Sequence, residues 1–480
     1  MTSNFVLLII FVISCLVMRK FLQKLRDFYF QPQNTFLICA LLFGGISAFT
    51  VPQLSVNDEN MHFLRAYNLA SGSLGNTGCS YPEDIKEKDS QVYDNTFSAD
   101  YSDTIDFTKM AHGKCGSAAG YTPIMHLPQA AGIFLAKIFQ PSTASLVLWG
   151  RLFNLVFYSA ALYFIIRKTR VGKWPLTVIG LFPIMIHTAG SLSADVMNSV
   201  ICLGAAMFII NLYIDGKKTI SNKRLAVLLS LFPLVALSKP TNTLILLLAA
   251  TLPSTLFKNV LPHSRFLPAW SHKWLILLCG GILAILALLG WQYLYGHSIT
   301  SFSQENLVKD NPLYFIVILS NTYLNPFLGY SDVVIRGVVG EFSSFRYHLP
   351  TFMVIVCFAL FFISLLRGDV LEEKLIRKRI GVLGLLSFVI FCASLVLVSY
   401  AMYATWATQN FRLGPKASYA DGVQGRYFTG LLVLFIPVGI WLRKYISINI
   451  PSQRLFSGIL SISLTLCLVY YTIQTYGFLF

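Results

Sequence analysis

Uncharged apolar runs recur along this chain, and they dictate what it can fold into. Leu225–Leu237, Leu275–Leu289 and Ile380–Val398 contain no charged residue. A helix crosses the hydrocarbon core with about 20 mostly apolar residues, and roughly 17 suffice. In lipid the backbone must satisfy its own hydrogen bonds, so runs of this kind are helices. A membrane β-barrel is excluded, because its strands alternate apolar and polar over about 10 residues. Composition agrees: 55% of the 480 residues are hydrophobic and 12% are charged, about half the charge of a typical soluble domain. The chain reads as an all-α integral membrane protein.

The net charge of +16 would suit nucleic acid, but its distribution does not. Six short segments between apolar runs (19–26, 167–173, 217–224, 258–273, 367–379 and 443–454) hold 23 of the 37 basic residues. Lys and Arg concentrated in short loops mark the cytoplasmic face, whereas a nucleic-acid reader gathers them in one patch on a recognisable module. With those loops inside, crossings fall near 4–18, 36–52, 144–166, 174–190, 195–214, 225–238, 241–257, 273–295, 350–366, 380–400, 428–443 and 455–478, about twelve in all. Arg19 and Lys20 follow the first run and no basic stretch precedes it. It therefore reads as an uncleaved span with its N-terminus outside. Two further apolar stretches, 124–140 and 313–327, would invert later loops if they crossed, so they are expected as re-entrant or surface helices. Three regions follow: two spans in 1–52, an outer loop with surface helices in 53–143, and a bundle with small outer loops in 144–480.

The outer loop carries ten of the 21 carboxylates within 53–123, so any chemistry is expected to face outward. Its first candidates are Asp58 and Glu59. A carboxylate at the membrane surface can act as a general base when it reaches an acceptor hydroxyl. On a helix, positions 58, 62 and 65 share one face, which would set Asp58 beside His62 and Arg65. The same spacing fits Asp58 or Asn57 as a helix N-cap.

Gln424-Gly425-Arg426-Tyr427-Phe428 opens the eleventh span. A guanidinium there can hold a phosphate bidentately, or it can snorkel beside an aromatic belt. Lys239, before Pro240, is an ionisable group between two apolar stretches, suited to a lipid phosphate or to a short turn. Asp195 and Arg151 each start a span. Asp195 fits a helix cap as well as a substrate site, and Arg151 fits a carboxylate or phosphate partner as well as snorkelling. Cys79 and Cys115 lie in the exported loop, where oxidation is permitted, and they are read as a disulfide. Closing that loop would contribute roughly 3–4 kcal/mol. A Gram-negative periplasm suits it. No phosphate loop, GxGxxG, HExxH, zinc-type Cys/His spacing or loop DxD is present, so ATP-driven transport and soluble nucleotide-sugar chemistry have no support.

The order of these motifs resembles a family of bacterial polytopic membrane proteins of unknown function (DUF2142-like) related to GT-C glycosyltransferases. The pieces are Asp58-Glu59-x-x-His62-x-x-Arg65-Ala66 with Gly72, and Tyr121-x-Pro123-x-x-x-x-Pro128-Gln129-Ala130 with Gly132. Further on come Gly150-Arg151-Leu152-x-Asn154, Ser191-Leu192-Ser193-x-Asp195, Lys239-Pro240 and Gln424–Phe428. Together they run from about residue 40 to 445.

The resemblance implies a GT-C-like bundle and an inverting hexosyltransferase of the bacterial inner membrane, its site facing the periplasm. It is similar to O-antigen serotype-converting glucosyltransferases. The implied donor is a polyprenyl-phosphate-linked sugar and the implied acceptor a surface glycan such as O-antigen. Asp58, seconded by Glu59, would be the base. Lys239, Arg426, Arg65, Gln424 and Tyr427 would hold the lipid phosphate, with His62, Asp195 and Arg151 at the substrate site. No cofactor is required; some GT-C enzymes use Mg or Mn, and no metal site is expected here. A flippase of lipid-linked glycans, and a glycan polymerase or ligase of the same fold, are the rival readings.

Overall fold

In the computed structural model the described residues are 27–75, 78–85, 104–113, 120–139, 142–215, 219–258, 260, 269–295, 308–328, 330–342, 347–367, 380–405, 417–446 and 451–477. The expected first span at 4–18 lies outside them.

Helix α1 (Pro32–Thr50) leads through a short turn to α2 (Glu59–Ala70), and then to a hairpin of β1 (Cys79–Pro82) and β2 (Met110–Gly113). The hairpin is antiparallel and pairs Cys79 with Gly113. A 3-10 turn, Pro123–His126, starts α3 (Leu127–Phe139), which packs along α4 (Thr143–Lys168). The expected span at 174–190 is instead two short helices, α5 (Lys173–Gly180) and α6 (Pro183–Ala189). Pro183 explains the break, because it cannot donate to the preceding turn and suits the first position of a new helix.

Next come α7 (Asp195–Ile214), α8 (Asn222–Ser238), a 3-10 segment from Pro240 to Thr251, and α9 (Ala269–Tyr295). After them follow α10 (Pro312–Tyr323), α11 (Tyr330–Gly337) and a second hairpin of β3 (Glu341–Phe342) and β4 (Tyr347–His348). The chain closes with α12 (Thr351–Leu366), α13 (Ile380–Thr405), α14 (Arg426–Thr429), α15 (Phe435–Leu442) and α16 (Gln453–Gly477). The expected all-helical architecture therefore gains two short hairpins.

Six of these helices are long and apolar enough to cross a membrane: α1, α4, α7 and the apolar stretches of α9, α13 and α16. Leu278, Leu286, Val382, Leu385, Phe362 and Ile473 are exposed on helix flanks, as side chains facing acyl chains must be. Helices α3 and α10, of 13 and 12 residues, are too short to cross.

Helix direction sorts the charges. The C-terminal ends of α1 and α8 and the N-terminal ends of α4, α7 and α14 share one end of the bundle, where Asp58, Arg151, Asp195, Lys239 and Arg426 sit. Lys168, Lys173, Asp215, Arg224, Arg367, Arg443 and Arg454 lie at the opposite ends of the same elements or of their neighbours.

Candidate functional site

Asp58 occupies the position before α2 with φ of 61°, in the left-handed region that Asp tolerates better than most residues. No side-chain cap forms there. The carboxylate turns away from the helix and accepts from Arg426 Nη2 at 2.6 Å. Arg426 Nη1 donates to the Asn57 carbonyl at 3.4 Å. Arg426 Nε lies 3.0 Å from Asp195 Oδ2, yet its N–H is not aimed at that oxygen and is left unbonded. Asp195 Oδ1 accepts from Lys239 Nζ at 3.0 Å. The four residues form one ionic chain, Asp58–Arg426–Asp195–Lys239, drawn from four distant stretches of sequence. The Asp58 side chain is 44% exposed and that of Arg426 5%, so the chain runs from a reachable carboxylate into a buried interior.

Aromatic groups roof this chain. The Lys239 ammonium lies 4.0 Å from the Tyr427 ring centroid and 5.9 Å from that of Tyr121, and it gains from both π faces. Burial pushes the Tyr121 hydroxyl up to about 12. His62 Nδ1 lies 3.0 Å from His126 Nε2. Burial brings His62 down to about 4 and His126 well below the usual imidazole range, so the pair is neutral at pH 7 and shares one proton between the facing nitrogens. Gln424, two residues before Arg426, has its Oε1 buried and unbonded among the described residues.

Three predicted site residues do other work. Glu59 and Arg151 form a fully buried bidentate pair, Nε to Oε1 at 2.8 Å and Nη2 to Oε2 at 2.6 Å. Arg151 also donates to the carbonyls of Ala48, Val51 and Pro52, and Glu59 Oε1 accepts from the Leu192 N–H. This saturated knot ties α1, α2, α4 and the 191–193 turn together. A carboxylate so occupied has no lone pair for a substrate, which removes Glu59 from the expected role of second base and Arg151 from the substrate site. Arg65 is likewise buried and donates to the Leu74 and Gly75 carbonyls, so it braces the loop after α2 rather than a phosphate.

The remaining motifs are packing. Asn154 donates to the Ser191 carbonyl at 2.7 Å and Gln129 to that of Ser193 at 3.1 Å. Gly132 faces the Trp149 carbonyl and Gly150 faces Leu192 so closely that a Cβ at either would collide. Gly425, which lacks a Cβ, could let backbone approach a ligand closely. It is instead pressed onto the C-terminal end of α11, where a Cβ would strike the Val334 carbonyl and Val338 nitrogen.

Asp58, Asp195, Lys239, Arg426, Tyr427 and His62 are thus brought together, Gln424 adjoins them in sequence, and Glu59, Arg65 and Arg151 are set apart from them. Tyr121 and His126 join the site without having been singled out for it; both fall in the Tyr121–Ala130 motif, which was the available signal. Glu341 also joins, buried beside Gly337 where that residue meets Gly425. It has no ion pair among the described residues, and burial, seconded by Asp332, raises its carboxyl to about 8. Nothing in its sequence surroundings marks it. Cys79 is disulfide-bonded; Cys115 lies outside the described residues. Among the described residues no group of three or more His, Cys, Asp or Glu could hold a metal ion.

A family model described as a predicted membrane protein, DUF2142, matches residues 41–435. The chain belongs to the DUF2142 family. The ionic chain, the Glu59–Arg151 knot and every motif quoted above fall within the DUF2142 match. No curated protein and no solved structure matches the chain.

Proposed function

We propose that this DUF2142 protein is a GT-C-type membrane glycosyltransferase, moving a sugar from a polyprenyl-phosphate-linked donor to a surface glycan such as O-antigen. The observation that carries this reading is the ionic chain Asp58–Arg426–Asp195–Lys239, which sets an accessible carboxylate beside two buried cations at the bundle end away from the basic loops. Under the positive-inside rule that end faces out of the cytoplasm. The reading includes about twelve crossings and placement in a bacterial inner membrane, with the site toward the periplasm.

Asp58 Oδ2 is held by Arg426, while Oδ1 is free among the described residues to take a proton from the acceptor hydroxyl. The hydroxyl oxygen bonds to the anomeric carbon, the bond from that carbon to the phosphate oxygen breaks, and polyprenyl phosphate leaves with the electron pair. The unbonded Arg426 Nε–H and the Lys239 ammonium, preorganised by Asp195, offset the growing phosphate charge. Tyr427 and Tyr121 supply faces for a sugar ring or isoprenyl group. No step calls for a metal.

Reconstituted protein, labelled polyprenyl-phosphate sugar and acceptor glycan test the reading. Transfer adds the mass of one sugar to the acceptor, and Asp58→Asn abolishes it at equal expression. A flippase would relocate labelled lipid unchanged and a polymerase or ligase would add whole glycan units; either result, or full activity in the Asn variant, sinks the proposal.

A further inference from the structure

A second polar site lies at the far end of the bundle. There α1, α5 and α16 begin side by side around a cleft of about 230 Å³ lined by Gln31, Gln33, Lys173, Trp174, Arg367 and Gln453. Among the described residues two of its side chains are cationic, three are amides and none is acidic. The neighbouring acid, Asp27, is turned to Arg454 at 3.2 Å.

The cations differ in how they are held. Arg367 is held beside the Trp174 and Phe456 rings, with its guanidinium carbon 5.4 and 5.6 Å from their centroids, and Nη1 donates to the Pro451 carbonyl at 3.0 Å. Lys173 makes no ion pair among the described residues. Trp174 is 5% exposed, lines the cleft, and its indole N–H has no acceptor among the described residues. Helices α1 and α5 have no side-chain cap, so their first-turn N–H groups add partial positive charge to the same space. An indole donor without an acceptor, an unpaired ammonium, a guanidinium held between rings and two uncapped helix starts all call for one kind of occupant, an anion with several oxygens.

We propose that this cleft binds a phosphoryl group, independently of the glycosyl-transfer reading. At a bundle end rich in Lys and Arg, which the positive-inside rule assigns to the cytoplasmic leaflet, that chemistry is offered by anionic lipid headgroups and by free phosphate. A phosphate monoester or diester brings the two or more oxygens needed to meet Lys173 and Arg367 at once while accepting from Trp174.

Full-length protein in nanodiscs distinguishes the sources. Inorganic phosphate is titrated calorimetrically into protein in phosphatidylcholine discs, and lipid retention is measured by native mass spectrometry after reconstitution with phosphatidylglycerol. Wild-type binding of inorganic phosphate identifies a free-phosphate site; retention of phosphatidylglycerol over phosphatidylcholine without phosphate binding identifies a headgroup site. In either case Lys173→Gln weakens the interaction about tenfold or more, the loss expected for one charge-assisted contact, and Lys173→Arg retains it, which separates lost binding from lost folding. Wild-type protein that takes neither probe, or Lys173→Gln that binds as wild type does, overturns the proposal.

Discussion

Arg426 donates to the Asp58 carboxylate across 368 residues of sequence, and the same guanidinium reaches toward Asp195 with Nε. One cation thus joins the segment before α2 to the start of α7 and draws the second cation, Lys239, into the group. Removing any member changes the charge felt by the other three, so substitutions here separate function from fold only when chosen conservatively.

Asp58→Asn keeps the volume and a polar contact to Arg426. Transfer activity is expected to fall by about 100-fold or more, the scale of a lost general base, with a thermal midpoint in detergent close to wild type. Initial rates and a melting curve on one preparation check this. A midpoint that falls in step with the rate would assign Asp58 to structure.

Glu59→Gln gives the opposite pattern. It leaves the fully buried Arg151 charge uncompensated, a loss of about 3–5 kcal/mol, so poor yield and an early melt are expected. Glu59→Gln combined with Arg151→Met removes both charges and recovers part of that stability. Chemical denaturation of the two variants tests the claim; a stable but inactive Glu59→Gln protein would restore Glu59 to the chemistry.

Glu341 makes stability depend on pH. Burial raises its folded carboxyl to about 8 from the ordinary 4.5, so the folded chain holds a proton that the unfolded chain releases. Its contribution is complete below about pH 4.5 and is lost as pH rises through 8. The melting temperature should therefore fall between about pH 5 and 8, and Glu341→Gln, neutral throughout, should flatten that decline. Parallel slopes for the two proteins would show that Glu341 does not cause it.

Gly425→Ala places a Cβ against main-chain atoms of Val334 and Val338, which cannot swing aside as a flexible side chain can. Shifting Arg426 by even a fraction of an ångström disturbs both of its carboxylate contacts. Transfer should drop by at least about tenfold, on the scale of misplacement effects, while Gly281→Ala, with open space around its Cβ, serves as the tolerated control. Equal rates for the two variants would refute the packing role.

The positions of the long apolar helices were legible because lipid imposes a simple rule on sequence: a long uncharged apolar run must be a helix, and Lys and Arg gather at its ends. The break at Leu181–Pro183 was hidden, since hydropathy does not register a proline inside an apolar run. Of the site, the types Asp58, Asp195, Lys239 and Arg426 stood out because charges beside apolar runs are costly there. Glu59 and Asp58, adjacent in sequence and alike in chemistry, could not be told apart. A left-handed φ at Asp58 and a buried guanidinium opposite Glu59 separate them, and neither is local information.

From the amino-acid order alone came the membrane class, the gathering of basic residues into short loops and a short roster of charged residues, because burial in lipid penalises every stray charge. Which of those charges met was decided only when the helices packed: Arg426 went to Asp58 and Asp195, Arg151 to Glu59, Arg65 to backbone carbonyls. Pairing depends on distances between segments hundreds of residues apart, and those distances are set by interlocking glycines and side chains rather than by any single stretch of chain.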